Sequence, residues 1–179
     1  MKLQKETTKI MIKFEKVSFE EFAKAVRKNL MPYATDEDLR GYYDDIQLPK
    51  RGSKGSAGYD FFSPVPFELR SEDYGDVYVT IPLGVRAVAP EDMFLMIVPR
   101  SGVGFKTGAY LANTVGIIDS DYIISPNEGH IMIRVCSGFN NLPVHKGDRL
   151  VQGIFLRFYT TDDDDAQDVR KGGFGSTGV

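Results

Sequence analysis

The sequence has few of the side chains on which disulfides and zinc sites depend. It contains one cysteine, Cys136, and two histidines, His130 and His145. A single cysteine cannot form a disulfide within the chain, and this usage suits a reducing compartment. No group of cysteines and histidines has the spacing of zinc ligands, which excludes a zinc deaminase. We interpret Cys136 as a small buried hydrophobic residue, because free cysteines are among the most buried residue types.

Long hydrophobic runs are also missing, since none approaches the roughly 20 residues that a membrane span needs. The first residues, MKLQKETTKIMIKF, contain no long apolar segment. We therefore expect no signal peptide and a cytoplasmic protein. The net charge is −3 and no basic face is evident, which argues against direct binding to nucleic acid. An anionic ligand would have to be held by local groups.

What the chain has in abundance is glycine and aromatic side chains, with 18 Gly, 12 Phe and 9 Tyr among 179 residues. This mixture favours sheet over helix, and the length fits one domain. Short apolar runs separated by turn residues predict an all-β barrel or sandwich. The predicted strands are Lys9–Val17, Asp76–Ile81, Val85–Val88, Met93–Val98, Tyr110–Val115, His130–Val135 and Leu150–Tyr159.

Two helix-start signals precede the predicted β region. Ser18, followed three residues later by Glu21, has the pattern of a capping box and predicts a helix to about Leu30. Thr35 begins a second pattern of this kind, for a short helix that ends near Ile46.

These patterns divide the chain into three parts. Residues 1–47 are predicted to be a short α-helical appendage, and residues 48–161 the β core. Residues 162–179 combine an acidic run, DDDDA, with a glycine-rich tail, and we interpret them as a linker followed by a mobile segment.

Two polar groups follow apolar strands in the middle of the chain. In PRSG, Arg100 offers a planar fork for phosphate oxygens and Ser101 adds a hydroxyl, although a surface turn would look the same. In IIDSDY, Asp119 is either a general base or sugar ligand, or the start of an Asx turn. Tyr122 would pack against a ring in the first interpretation.

Three further motifs lie near the ends of the predicted core. AGYD places Asp60 at a strand start, where it is a candidate for the outer shell of a metal. GDRLVQG carries Gln152 inside a strand, and its Asp148 and Arg149 could simply form a surface pair. GFGSTG has dinucleotide-loop spacing, but no helix follows it, so that interpretation fails. Phe174 among these glycines calls for a flat partner such as a base; the alternative is plain disorder.

Taken in order, AGYDFFSP, PRSGVGFKTGAYLANTVGIIDSDY, KGDRLVQGIF and GGFGSTG resemble the five motifs of the trimeric dUTP diphosphatase (dUTPase) family, over about residues 48–179. The resemblance implies a small β jelly roll and a homotrimer whose active sites are shared between subunits, with the C-terminal tail as a lid. It also implies Mg²⁺-dependent hydrolysis of dUTP to dUMP and pyrophosphate, which keeps uracil out of DNA and supplies dUMP for dTMP synthesis.

By position, the resemblance implies catalytic roles for Asp119, which would position the attacking water, and for Gln152, near the α-phosphate. Asp60 would contact Mg²⁺ through water, and Tyr122 would stack under deoxyribose. Asn113 and the backbone of 116–118 would read the uracil edge. The residues expected to bind substrate are Arg100, Ser101, Gly102, Asn113, Gly116, Ile117, Ile118, Tyr122, Arg170, Phe174, Gly175, Ser176 and Thr177.

Three departures from the family pattern shape the remaining expectations. Residues 123–127 form an insert, and residues 1–47 have no clear counterpart in short members. In RKGGFG, Arg170 is one position closer to the aromatic residue than in the usual spacing, so either Arg170 or Lys171 would reach the γ-phosphate. The longer forms resemble those of phages, so we expect a phage-type member acting in a bacterial cytoplasm. The alternatives are a dCTP deaminase-type or bifunctional enzyme of the same fold, and a regulatory protein that binds a repressor through its insert. Residues 113–115 lack the acid that a deaminase would use.

Overall fold

Short antiparallel strands joined by tight turns make up most of the structure, a computed structural model that describes residues 11–70, 78–168, 170 and 172. Three α-helices are interspersed: α1 Phe19–Asn29, α2 Asp36–Asp44 and α3 Ser101–Thr107. The strands are β1 Lys13–Lys16, β2 Lys50–Arg51, β3 Tyr59–Phe62, β4 Phe67–Leu69, β5 Tyr78–Pro82, β6 Val85–Val88, β7 Met93–Pro99, β8 Tyr110–Leu111, β9 Gly116–Asp119, β10 Met132–Cys136, β11 Leu142–Val144 and β12 Arg149–Arg157. The all-β expectation with two short helices in front is confirmed.

The largest sheet in the described chain has the order β2-β3-β12-β7-β9, and a second has the order β5-β10-β8. Two further pairs, β1-β6 and β11-β4, complete the β structure of these residues. In the large sheet, β12 lies between β3 and β7, and β9 is one of the two edge strands, with β2 at the other edge. This order matters for the site, because a terminal strand has one edge that its own sheet does not use.

The strand prediction for Tyr110–Val115 is wrong beyond its first two residues. The chain turns after Leu111, with the N–H of Thr114 donating to the Leu111 carbonyl at 2.8 Å. Thr114 has φ of 64°, a left-handed conformation that a strand does not contain. The turn moves the chain from the sheet of β8 to the sheet of β9, so these residues form a corner between the two sheets.

Helix α3 was not predicted, because its sequence, SGVGFKT, reads as a glycine-containing loop. It ends at Gly108, whose φ of 73° and N–H bond to the Gly104 carbonyl are typical of a glycine-terminated helix. Of the helices that the structure describes, α1 is the longest with 11 residues, and none could cross a bilayer.

Helix α2 begins as predicted, with Thr35 and Asp38 forming a complete capping box. At α1 the box is only half present. The N–H of Glu21 donates to Ser18 Oγ, but the N–H of Ser18 donates to Glu128 Oε2 at 2.8 Å. Glu21 is drawn away because its carboxylate contacts the buried His130 and Lys24 instead.

Helices α1 and α2 pack into the same hydrophobic cluster as the sheets. Phe22 and Val26 of α1 and Leu39 of α2 are fully buried there, together with strand residues such as Phe61 and Leu95. The three-part division of the chain stays a prediction, but the front helices share one core with the strands.

Candidate active site

A cavity of about 400 Å³ lies beside β9, and we call it the β9 cavity. Its volume is in the range of small-molecule sites. Seven residues predicted from the sequence line it: Asn113, Gly116, Ile117, Ile118, Asp119, Tyr122 and Arg170. The rest of its wall is Ile97, Leu111, Ala112, Met132, Ile133 and Arg134, from strands β7, β8 and β10 and the corner after β8.

The position of β9 depends on close approach to β7. Gly116 pairs with Ile97, and a Cβ added to Gly116 would lie 3.2 Å from the Ile97 Cβ. The preceding corner is fixed by a bond of 2.8 Å from the N–H of Ala112 to the Arg134 carbonyl. Since β9 is an edge strand, its outer backbone edge is left to face the cavity.

Tyr122 forms a buried wall of the β9 cavity, with 6% of its surface exposed. It lies in a 3₁₀ helix, Ser120–Ile124, that follows β9. Its hydroxyl donates to the His130 carbonyl at 3.2 Å and accepts from Asn127 Nδ2 at 2.8 Å. Burial raises the pKa of the Tyr122 phenol, against the lowering effects of Asn127 and Arg170, so the phenol stays protonated at neutral pH.

Asp119 ends β9, and its carboxylate does not cap the helix that follows. The Asx-turn alternative is therefore not what the structure shows. Arg170 Nη2 lies 2.5 Å from Asp119 Oδ2, and Arg170 Nε donates to Asp121 Oδ1 at 2.8 Å. The guanidinium also lies 5.7 Å from the Tyr122 ring centroid. Asp119 remains half exposed, so water can reach it.

A second cavity, of about 200 Å³, lies at the strand ends of β3, β7 and β12, and we call it the arginine cavity. Asp60 is buried there between two guanidinium groups, at 2.8 Å from Arg100 and 3.2 Å from Arg149. The remaining lining residues are Gly52, Ser56, Gly58, Ser101 and Gln152. One carboxylate beside two arginines leaves a net positive cluster that can receive an anion.

Arg149 was missed as a site residue. The sequence suggested a surface pair with Asp148, but Asp148 instead accepts from the N–H of His145 at 2.8 Å. Residues three apart in a regular strand point to opposite faces, which separates Arg149 from Gln152 in a sequence pattern. The pairing of β12 with β3 shifts between Arg149 and Val151, and this irregularity brings both side chains to one cavity. No local signal predicts it.

Gln152 is held against Gly58. A Cβ added to Gly58 would lie 2.5 Å from Gln152 Oε1, so a larger residue at this place in AGYD would displace the end of the Gln152 side chain. At Gly102, by contrast, no atom lies within 4 Å of an added Cβ. Gly102 lies in the first turn of α3, next to Arg100 and Ser101, and the space beside it is open to a ligand.

The predicted site residues therefore separate into two places within one chain. Asp119, Tyr122 and Arg170 line the β9 cavity, whereas Asp60, Arg100 and Gln152 line the arginine cavity, and the two linings have no described residue in common. The predicted tail residues Phe174, Gly175, Ser176 and Thr177, and the alternative Lys171, lie outside the described residues.

An all-protein metal site is not evident in residues 11–70, 78–168, 170 and 172, which contain no group of three or more His, Cys, Asp or Glu side chains suited to a metal ion. Mg²⁺ commonly keeps several waters and binds through substrate phosphates with one or two carboxylates. Asp60 fits only such an outer role, because each of its oxygens already accepts from an arginine.

Comparison with known proteins identifies the family. The dUTPase family model matches residues 44–178. The deoxyuridine 5'-triphosphate nucleotidohydrolase of Lactococcus lactis is 39% identical over 138 residues, covering 75% of this chain and 89% of that protein. A dUTPase structure from Streptococcus mutans matches with a TM-score of 0.62 at 28% identity, covering 84% of this chain and 98% of that one.

A mutant dUTPase of phage phi11 of Staphylococcus aureus, described with a structural Mg(II) ion, has a TM-score of 0.54 at 21% identity, covering 68% of this chain and 90% of that one. The match to the Streptococcus mutans structure confirms the expected jelly-roll fold. By sequence and by fold, this chain belongs to the dUTPase family.

Proposed function

We propose that this chain hydrolyses dUTP to dUMP and pyrophosphate by attack of water on the α-phosphate. The observation that carries the proposal is the β9 cavity, where an unused strand edge, a buried tyrosine and the Asp119 carboxylate meet in a volume suited to a nucleoside. The strand edge suits a base edge, the tyrosine suits a sugar face, and the carboxylate can hold the attacking water.

The base binds at the outer edge of β9. Alternating N–H and C=O groups from Gly116 to Ile118 offer a donor for uracil O4 and an acceptor for uracil N3–H, and Asn113 completes the pocket. Cytosine would place its amino group against a donor. A site built on such bonds rejects a mismatched polar edge by about 10⁴-fold or more.

The sugar lies on Tyr122, and Asp119 reaches its 3′-hydroxyl and the attacking water. The phenol ring is buried and hydrogen-bonded from behind, so it cannot easily yield to an added 2′-hydroxyl. Asp119 orients the water and accepts its proton, which is positioning and general-base catalysis. Arg170, now on Asp119, moves to the incoming phosphates because a triphosphate carries more negative charge than the carboxylate.

The phosphates bind in the arginine cavity, on Arg100 and Arg149 with Ser101 and Gly102 at the start of α3. Asp60 holds the two guanidinium groups in place and would accept from a water of Mg²⁺. When bound to the phosphates, Mg²⁺ would neutralise the negative charge that develops on the leaving pyrophosphate. Gln152 lies in the same cavity and would contact the α-phosphate and the water.

A homotrimer with shared sites explains why the two cavities are separate in one chain. In that assembly, the β9 cavity of one subunit is completed by the arginine cavity of a neighbour, and the tail with Phe174, Gly175, Ser176 and Thr177 closes over the base and phosphates. What supports this proposal is the division of the predicted residues between two linings with no described residue in common. Analytical ultracentrifugation with and without nucleotide tests the trimer directly.

The experiment that tests the activity is a pyrophosphate-release assay with Mg²⁺ on dUTP, dTTP, dCTP and UTP. We expect release from dUTP and strong rejection of the other three, because each differs at the base edge, at C5 or at the 2′ position. Ammonia release from dCTP would instead support the deaminase alternative. An unchanged dUTP pool after prolonged incubation would overturn the proposal.

A further inference from the structure

The hydroxyl of Tyr122 is bonded to a side chain from the insert, Asn127, whereas Ser125 Oγ donates to the Tyr122 backbone carbonyl at 2.6 Å. Asn127 Nδ2 donates to the Tyr122 hydroxyl at 2.8 Å, while the hydroxyl donates to the His130 carbonyl at 3.2 Å. Asn127 lies outside the β9 cavity lining, so it touches the tyrosine and not the space for the nucleotide. The phenol thus faces the cavity with its ring and the loop with its hydroxyl.

Asn127 is itself fixed in orientation. Its Oδ1 lies 2.5 Å from Ser125 Oγ, a buried hydroxyl, which leaves its amide nitrogen to face Tyr122. The loop closes through the N–H of His130, which donates to the Asn127 carbonyl at 2.9 Å. Gly129 packs so tightly that an added Cβ would lie 2.7 Å from the Ile123 Cα. An amide held at both ends in a closed loop is preorganised for its partner.

Helix α1 braces this loop from the other side. The carboxylate of Glu128 accepts from Ser18 N at 2.8 Å and from Ser18 Oγ at 2.5 Å, at the first turn of α1. Glu21 of α1 lies 3.4 Å from Nδ1 of the buried His130, whose Nε2 accepts from the N–H of Gly84 at 2.9 Å. Two residues that follow Asn127 in the chain, Glu128 and His130, therefore connect its loop to helix α1.

We propose that Asn127 is a positioning residue that fixes the phenol of Tyr122 under the sugar, and that helix α1, through Glu128 and His130, keeps Asn127 in place. The inference rests on the sugar-binding role proposed above for Tyr122. Its consequence is that discrimination between deoxyribose and ribose depends on a residue outside the cavity. Loss of the Asn127 bond removes the donor that holds the phenol from the loop side, so the ring can tilt to admit a 2′-hydroxyl.

The test measures kcat/KM for dUTP and for UTP with the full chain and Mg²⁺. For Asn127→Ala, we expect the dUTP/UTP ratio to fall by about 2- to 10-fold, the factor associated with one hydrogen bond. Tyr122→Phe, which keeps the ring, should lower the ratio by a similar factor. The double variant should be no worse than Tyr122→Phe alone, because the two changes remove the same bond.

The matched control is Asn29→Ala, which removes an asparagine bond of the same 2.8 Å length at the end of α1, away from both cavities. Its ratio should equal that of the parent. If Asn127→Ala does not yield folded protein, Glu128→Gln takes its place, since it weakens the brace without touching Tyr122; the ratio should again fall.

A purely structural role for Asn127 would lower the thermal midpoint and leave the dUTP/UTP ratio unchanged, and that result would overturn the inference. Additive losses in the double variant would also overturn it, because they would place Asn127 on a separate route. Tyr122→Leu tests the sugar-binding role of Tyr122 separately from the role of Asn127. If it leaves the ratio unchanged, the sugar-binding role of Tyr122 fails together with the inference; if it collapses the ratio while Asn127→Ala does not, only the inference fails.

Discussion

Arg170 and Asp119 form an ion pair across 51 positions of sequence, with Nη2 and Oδ2 separated by 2.5 Å. The pKa of Arg170 is raised, because although burial lowers it, Asp121 and Asp119 more than offset that effect. The guanidinium thus stays charged and covers the carboxylate proposed to orient water. In the proposed mechanism, Arg170 moves from Asp119 to the phosphates of the nucleotide before Asp119 acts on the water.

Asp119→Asn tests the general-base role. The variant keeps the shape of the side chain but cannot accept a proton, so we expect turnover to fall by about 10²–10⁴-fold while dUTP binding survives. Pyrophosphate release and calorimetric titration measure the two properties separately. The matched control is Asp92→Asn, which breaks an exposed pair with Arg157 outside both cavities and should leave turnover unchanged. Equal turnover in Asp119→Asn and the parent would remove the assignment.

Gly58→Ala tests the placement of Gln152. The new methyl would meet Gln152 Oε1 at 2.5 Å, and the flexible end of that side chain must move aside. Stability should change little, whereas kcat should fall by up to about 10²-fold, as expected for a small misplacement near the reaction. Gly55→Ala is the control, because no atom lies within 4 Å of its added Cβ. If Gly58→Ala and Gly55→Ala had equal kcat values, the placement of Gln152 would not matter for turnover.

Phe22→Ala tests whether the front helices belong to the cooperative core. Phe22 of α1 is 0% exposed and packs in one cluster with strand residues, so its truncation should cost about 3–5 kcal/mol of unfolding free energy. Chemical denaturation should show one transition, shifted to lower denaturant. Tyr33→Ala, at a side chain that is 95% exposed, should leave the midpoint nearly unchanged. A separate early transition for α1 in Phe22→Ala would contradict the shared core.

The buried His130 predicts a loss of stability on mild acidification. Burial lowers its pKa from 6.5, and the opposing effects of Glu21 and Glu128 do not restore it. Below pH 6.5 the histidine of the unfolded chain binds a proton, whereas the buried His130 of the folded protein stays neutral. The free energy of unfolding therefore decreases as the pH falls, until the pH reaches the lower pKa of His130 in the folded protein. Glu15 and Glu128, whose pKa values are lowered by hydrogen bonds to Lys13 and to Ser18, act in the same direction only below the ordinary glutamate pKa of 4.5.

Thermal midpoints between pH 8 and pH 5 measure this effect, with about 2–4 °C expected for each kcal/mol lost. His130→Gln should flatten the decline between pH 6.5 and pH 4.5, the window set by the unperturbed histidine and carboxyl values. His145→Gln is the control, because that side chain is largely exposed. If the His130 variant declines as steeply as the parent, another group carries the pH dependence.

The sequence by itself determined those features that local patterns encode. A short apolar run between turn residues predicted Val85–Val88 with its bounds, and Thr35 with Asp38 predicted the start of α2. The motif around Asp119 and Tyr122 pointed to residues that do line one cavity. Such signals depend on neighbours within a few positions, and periodicity reports them directly.

Only the tertiary structure decided how distant groups meet. The bond of Ser18 to Glu128 spans 110 positions, the contact of Glu21 with His130 spans 109, and neither has a local signal. A strand irregularity placed Arg149 beside Gln152, and the division of the site residues between two cavities followed from sheet order. The physical reason is that strand order, register and side-chain burial are properties of the whole packed chain, whereas a sequence pattern describes one segment at a time.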